Sequence, residues 1–199
     1  LSGTDQVIKS QDYLHGFFER NAGKEFVHFW SGAAHEKDLR RKVGRYYLFT
    51  KHLKDKGTAV HLFTAPLRNL FLLLQKATGF RRRADWEFRK GSQWVSITNA
   101  FCQYLLNRKS EILALFAHTL CPDEIFVQTV LWNSDFRNNI ACADDDMIRA
   151  AARAIDWQRG SPYVWQAADT AYLAECSAIF ARKFSKKFIY TRNDEHDKR

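Results

Sequence analysis

The sequence predicts an α/β fold, a mixed sheet flanked by helices, and three observations carry that prediction. Residues 10–21 place Tyr13, Leu14, Phe17 and Phe18 at helical spacing, and the aromatic stretch 25–30 that follows is too short for a helix. Residues 94–98 alternate as a strand does and lead directly into a new helical pattern at Asn99. Hydrophobic residues make up 46% of the 199 residues and aromatics 15%, enough apolar mass for one packed domain. The expected organisation is one domain over residues 1–190 and a polar tail at 191–199.

Taken in order, Leu1-Ser2-Gly3-Thr4-Asp5 reads as the end of a strand and its turn, so the sequence opens in mid-domain. Ser10 suits a helix cap and Gly23 a stop, and Glu25 to Trp30, bounded by Gly23 and Gly32, suits a buried strand. A basic stretch runs from His35 to Gly57, with strand character at Arg45-Tyr46-Tyr47-Leu48-Phe49. Residues 67–76 read as a helix before Gly79, and Arg81-Arg82-Arg83 as a basic turn. After the strand at 94–98, Asn99 caps a helix whose apolar side holds Phe101, Tyr104 and Leu105, and a second helix runs over 111–119. Pro122 suits the first position of a further helix, which puts Glu124 in its first turn. The rest holds an acidic loop at Asp144 to Asp146, Ile155-Asp156-Trp157 before a Gly-Ser-Pro turn, a helix over 169–175, and a closing apolar segment from Ile179 to Phe184.

Charge and cysteines narrow the function classes. Thirty-one Lys and Arg against 22 Asp and Glu give a formal net charge of +9, which favours polyanions, anionic membrane surfaces or phosphorylated small molecules. Cys102, Cys121, Cys142 and Cys176 form no CxxC pair and read as reduced thiols rather than a zinc site. No apolar run reaches the ~18 residues of a membrane span. There is no Walker loop, no G-x-G-x-x-G and no nucleophile motif with a Ser, His and Asp set.

Five short motifs, in order and over nearly the whole chain, carry a family resemblance. They are Ser2-Gly3-Thr4-Asp5 with Ile8-Lys9, Gly91-Ser92-Gln93-Trp94, Cys121-Pro122-Asp123-Glu124, Ile155-Asp156-Trp157 with Gly160-Ser161-Pro162, and Phe180-Ala181-Arg182-Lys183-Phe184. With these the chain resembles the core-2/I-branching β-1,6-N-acetylglucosaminyltransferase and peptide O-xylosyltransferase family, as the C-terminal part of a bacterial member. The resemblance implies an inverting, UDP-sugar-dependent glycosyltransferase of GT-A-like fold, with no metal or other cofactor. It also implies that much of the nucleotide-binding part precedes Leu1. The partners it implies are a UDP-sugar donor and a glycan acceptor, with no nucleic acid and with room for peripheral membrane association. The location is cytoplasmic and membrane-peripheral in a bacterium, or the Golgi membrane in a eukaryote.

Residue by residue, Glu124 matches the base that takes the proton of the acceptor hydroxyl. A carboxylate at a helix N-terminus is held ionised by the dipole; by pattern alone a first-turn capping acid is the favoured reading, and the resemblance reverses that. Lys183 matches the cation that meets the diphosphate, and Arg182 stands beside it to assist. The family's second diphosphate Arg is absent after Pro162, where Tyr163-Val164-Trp165-Gln166 stands, and Arg159 is the nearest substitute. Trp157 matches a position that packs on the acceptor sugar, with a core Trp as its rival reading. Arg45 and Lys42 resemble the acceptor-side basic segment. Asp144-Asp145-Asp146 has the D-x-D spacing of metal-dependent sugar transferases, but it precedes Met147-Ile148-Arg149 where acids cap a helix. The rival functions are a non-catalytic sugar-binding relative and a basic nucleic-acid-binding domain using Arg40, Arg41, Arg81, Arg82 and Arg83.

Overall fold

A computed structural model describes residues 3–52, 57–82 and 85–185. They form two compact units, each discontinuous in sequence. The first holds the described residues of Leu1–His28, Trp94–Thr98 and Asn138–Arg199, and the second those of Phe29–Gln93 and Asn99–Arg137. Both helices and strands are present, as the α/β expectation requires.

In the first unit, the sheet is small and mixed. Strand β1 (Asp5–Val7) pairs antiparallel with β3 (Phe180–Arg182), which lies at the centre and pairs parallel with β2 (Arg153–Ile155). The register sets Asp5 opposite Arg182. The Arg182 guanidinium reaches the Asp5 carboxylate at 2.6 Å, with Arg153 at 3.9 Å on the other oxygen. The turn at Gly3-Thr4 leads into β1, whose backbone from Asp5 onward finds β3 as its partner, while the strand end expected at Leu1-Ser2 lies outside the described residues.

Helix α1 (Gln11–Arg20) is capped as the sequence predicts: the Ser10 hydroxyl accepts the Tyr13 N–H at 3.2 Å. Its Leu14 and Phe17 pack with Phe26, Ile179 and Phe180. A second cluster joins Ile8, Ala154, Trp165, Leu173, Ala181 and Phe184. The predicted strands at 25–30 and 94–98 reduce to single bridges, Glu25 with Ile140 and Phe26 with Ser96. Residues 25–29 are buried as expected, whereas 94–98 are uniformly half-buried, and Glu25 joins the two stretches through its side chain as well as pairing its backbone with Asn139 and Ala141. The fully buried carboxylate takes the Thr98 N–H at 2.9 Å and the Thr98 hydroxyl at 2.5 Å.

The short helix α7 (Met147–Ala151) settles the acidic loop as a cap. Asp146 accepts the N–H groups of Ile148 and Arg149 at 2.8 and 3.3 Å. Asp144 pairs with Arg149, and Asp145 with the buried His28. Helix α8 (Thr170–Glu175) follows a 3-10 turn at Ala167–Asp169, close to the predicted limits.

The second unit is helical. Helix α2 (Ala33–Val43) lies where the sequence suggested only a basic stretch, and α3 (Ala59–Ala77) starts well before the expected Leu67, with Pro66 inside it. Residues 45–49 are not a strand. The Tyr46 backbone N–H and C=O are both taken by the Gln75 side-chain amide, at 2.9 Å each, so no ladder partner is needed. Helices α4 (Asn99–Asn107) and α5 (Lys109–Phe116) bury Phe101, Ile112 and Phe116. Helix α6 (Phe126–Trp132) is the most enclosed, with Val127 to Leu131 all buried. Arg83 and residues 191–199 lie outside the described residues.

Candidate active site

Glu124 sits on a 3-10 turn, Pro122–Glu124, immediately before α6, not in the first turn of an α-helix. Cys121 makes this possible by adopting a left-handed conformation at φ 49°, which turns the chain sharply into Pro122. Two further bonds fix the turn. The Gly91 N–H donates to the Glu124 carbonyl at 2.9 Å, and the Gln128 amide donates to the Ser92 carbonyl at 2.7 Å. The Gly91-Ser92 and Cys121-Pro122-Asp123-Glu124 motifs, far apart in sequence, are thereby joined.

The Glu124 side chain is half-buried and meets two ammonium groups. Lys42 of α2 lies 2.8 Å from Oε2, and Lys90 lies 3.6 Å from the same oxygen. Asp38, one turn before Lys42 on α2, holds both lysines from the other side, at 3.0 Å from Lys42 and 2.6 Å from Lys90, and takes Arg41 as well at 2.7 Å. Among the described residues no donor is found for Glu124 Oε1.

The electrostatics follow from this packing. Burial alone would raise the Asp38 carboxyl, but the hydrogen bonds from Lys90, Lys42 and Arg41 outweigh it and hold the group well below the usual carboxylate range. Burial alone would lower Lys42, yet its bonds to Glu124 and Asp38 push it above the ordinary lysine value. Lys42 is thus a firmly charged, buried cation, and Glu124 has a fixed positive neighbour on one oxygen.

The structure brings Lys42 to Glu124 as an ion-pair partner. Arg45 lines a basic groove of about 770 Å³ together with Arg40, Arg41, Arg81 and Arg82, and Asp38 forms part of that wall. Sequence reasoning missed Asp38 and Lys90. The four-residue spacing of Asp38 and Lys42 was a usable signal for the first, whereas Lys90 had none beyond standing next to Gly91.

The other candidate residues belong to the first unit. Trp157 stands half-exposed at a cleft of about 590 Å³ with Asp156, Arg159, Trp165, Asp169 and Tyr172. Arg159 is 2.5 Å from Asp156 and 2.8 Å from Asp169, and its guanidinium stacks 4.1 Å over Tyr163. The bonds to Asp156 and Asp169 hold its pKa above the ordinary arginine value. Arg182 is committed to Asp5 and lies 4.2 Å over the Trp94 ring. Lys183 follows it, partly exposed, with its backbone bonded to Tyr163 and Trp165. All four cysteines are free thiols. Among the described residues no three His, Cys, Asp or Glu side chains converge as a metal site, and no helix is long and apolar enough to cross a membrane.

Comparison with known proteins decides the family, since the model of the Core-2/I-Branching enzyme matches residues 1–177. The chain belongs to the Core-2/I-branching family of glycosyltransferases. It is 26% identical over 202 aligned positions to Xylosyltransferase oxt of Drosophila pseudoobscura pseudoobscura, covering 92% of this chain and 21% of that protein. The Drosophila melanogaster Xylosyltransferase oxt matches over the same shares, also at 26%. A xylosyltransferase of Ciona intestinalis is 28% identical over 118 positions, 53% of this chain and 14% of that protein. The chain thus spans about a fifth or less of the length of these relatives. The resemblance read from the five motifs is borne out at the level of the family.

Proposed function

We propose that the protein is an inverting, metal-independent glycosyltransferase of GT-A-like fold that moves a sugar from a UDP donor to a hydroxyl of a glycan acceptor. N-acetylglucosamine and xylose are the donor sugars the family suggests. The observation that carries this reading is the state of Glu124: one carboxylate oxygen is held by Lys42 and Lys90, while the other has no protein donor among the described residues. A base positioned in this way accepts a proton from a substrate hydroxyl.

In the reaction, the acceptor O–H gives its proton to Glu124 as its oxygen attacks the anomeric carbon. The bond from that carbon to the diphosphate oxygen breaks, and UDP leaves with the electron pair. Lys183 supplies the cation that neutralises the departing diphosphate. Arg182 and Arg159, tied to Asp5 and to Asp156 and Asp169, shape the strand and turn around it. Trp157, half-exposed at its cleft, offers a flat face for an acceptor sugar ring. Lys42 holds the base and, with Arg45, gives the acceptor side its positive charge. The D-x-D acids are occupied with helix capping, His28 and Arg149, which supports the reading without a divalent ion. The free cysteines favour a membrane-peripheral cytoplasmic location in a bacterium, and the family a Golgi location in a eukaryote.

The test is UDP release by the full-length protein from a panel of UDP-sugars in EDTA, with and without glycan acceptors. Turnover of one donor in EDTA is the expected result. Turnover only after manganese is added refutes metal independence, and binding without turnover favours a non-catalytic sugar-binding relative.

A further inference from the structure

Helix α3 presents its apolar residues outward. Leu62, Phe63, Leu67, Leu70, Leu73 and Leu74 recur at the three- and four-residue spacing of one helix face, and each is more than half exposed, reaching 76% at Phe63. The polar Gln75, in contrast, is buried and anchors the helix to Tyr46. An amphipathic helix packed on a core shows the reverse arrangement, so this face is built to meet something outside the unit.

The charge around the helix identifies what it meets. Helix α3 contains no Asp or Glu, and between Leu39 and Ala84 the sequence has Asp55 as its single acid. Lys76 is exposed beside the apolar face. Beyond the C-terminal end of α3, Arg82 stacks on Tyr46, the residue that Gln75 grips, and Arg45, Arg81, Arg82, Arg40 and Arg41 line the basic groove. An apolar stripe continued by arginines is complementary to acyl chains bordered by phosphates. A second copy of this chain, with a net charge of +9, would set like charge against like.

We propose that α3 lies in the plane of an anionic phospholipid membrane. Its Leu and Phe face enters the headgroup and acyl boundary, while Lys76, Arg81 and Arg82 meet the lipid phosphates. At about 28 Å for its 19 residues the helix has the length for this. The surface is independent of the transfer chemistry, and vesicle binding is read without any sugar donor.

The experiment is co-sedimentation of the full-length protein with vesicles of phosphatidylcholine containing phosphatidylglycerol, and with vesicles of phosphatidylcholine alone. Binding to the anionic vesicles is expected, weakened at least ~10-fold on neutral ones and reduced by high salt. The double variant Leu67→Glu, Leu70→Glu should bind at least ~10-fold more weakly and melt at the wild-type temperature. Absence of wild-type binding to anionic vesicles overturns the proposal, as does undiminished binding by the variant. So does a wild-type oligomer that the variant converts to monomers, because the face is then an interface between copies. A large loss of thermal stability in the variant also overturns it, because the face is then covered by the rest of the chain.

Discussion

Replacing Glu124 by Gln keeps the shape of the proposed base and removes its charge, and the geometry separates what this does to rate from what it does to stability. The Glu124 side chain is 37% exposed, so its pairs with Lys42 and Lys90 count as near-surface ion pairs worth about 0.2–1 kcal/mol. Both lysines keep Asp38, at 3.0 and 2.6 Å, and the Gln amide oxygen can still accept from Lys42. The melting temperature should therefore fall by no more than about 4 °C. A general base contributes about 10²–10⁴ in rate, so turnover should fall at least ~10²-fold, or about 2.7 kcal/mol in the barrier. UDP release by the full-length protein and a thermal melt of the same sample are the two readings. Activity within ~3-fold of wild type refutes the assignment of the base. A melt lowered far beyond that range refutes the argument that Asp38 keeps the lysines satisfied.

The same geometry gives further expectations. Lys183→Met should slow transfer by ~10²-fold or more with little change in the melt, whereas Arg182→Met should cost about 3 kcal/mol of stability by removing the near partner of buried Asp5, as urea unfolding would show. Because the Asp38 pKa is lowered on folding, its stabilisation is full above the ordinary carboxylate value of about 4 and fades as pH falls below it, so Asp38→Asn should flatten the acid limb of stability against pH. Lys42, raised on folding, contributes fully up to the ordinary lysine value and loses that contribution as pH rises through its raised pKa. Thr98→Val removes the hydroxyl bonded to buried Glu25 and should cost about 1–3 kcal/mol in chemical unfolding. Gly160→Ala would set a Cβ 2.8 Å from the Tyr163 backbone, and should lower stability by about 1–3 kcal/mol in the same assay while disturbing the turn that carries Trp157 and Arg159.

Local chemistry was what the sequence made legible. Ser10 and Asp146 cap helices because a short side chain before an apolar pattern has few other uses. Strand pairing was not legible, since whether residues 25–30 or 45–49 join a ladder depends on distant partners. At Tyr46 that partner is the side chain of Gln75. Helix α2 escaped notice because Lys42 and Val43 are its sole buried residues, which leaves almost no apolar period to detect. At the site, the motif around Pro122 marked Glu124, and the basic segment of α2 marked Lys42. The link to Lys90 was invisible because charge pairing across such separations leaves no spacing in the sequence, whereas Asp38 stood one helical turn before Lys42 and could have been read.

The paired bonds between Tyr46 and Gln75, with Arg82 N–H donating to the Gly44 carbonyl at 3.1 Å, close the chain on itself beneath α3. The stretch that carries α3 thus leaves and returns at one point. Its length is therefore decoupled from the position of Glu124, and each doubling of such a loop costs only about 0.6 kcal/mol. The stretch can be lengthened, shortened or replaced without moving Glu124, which makes it the natural place for one scaffold to change what its surface meets.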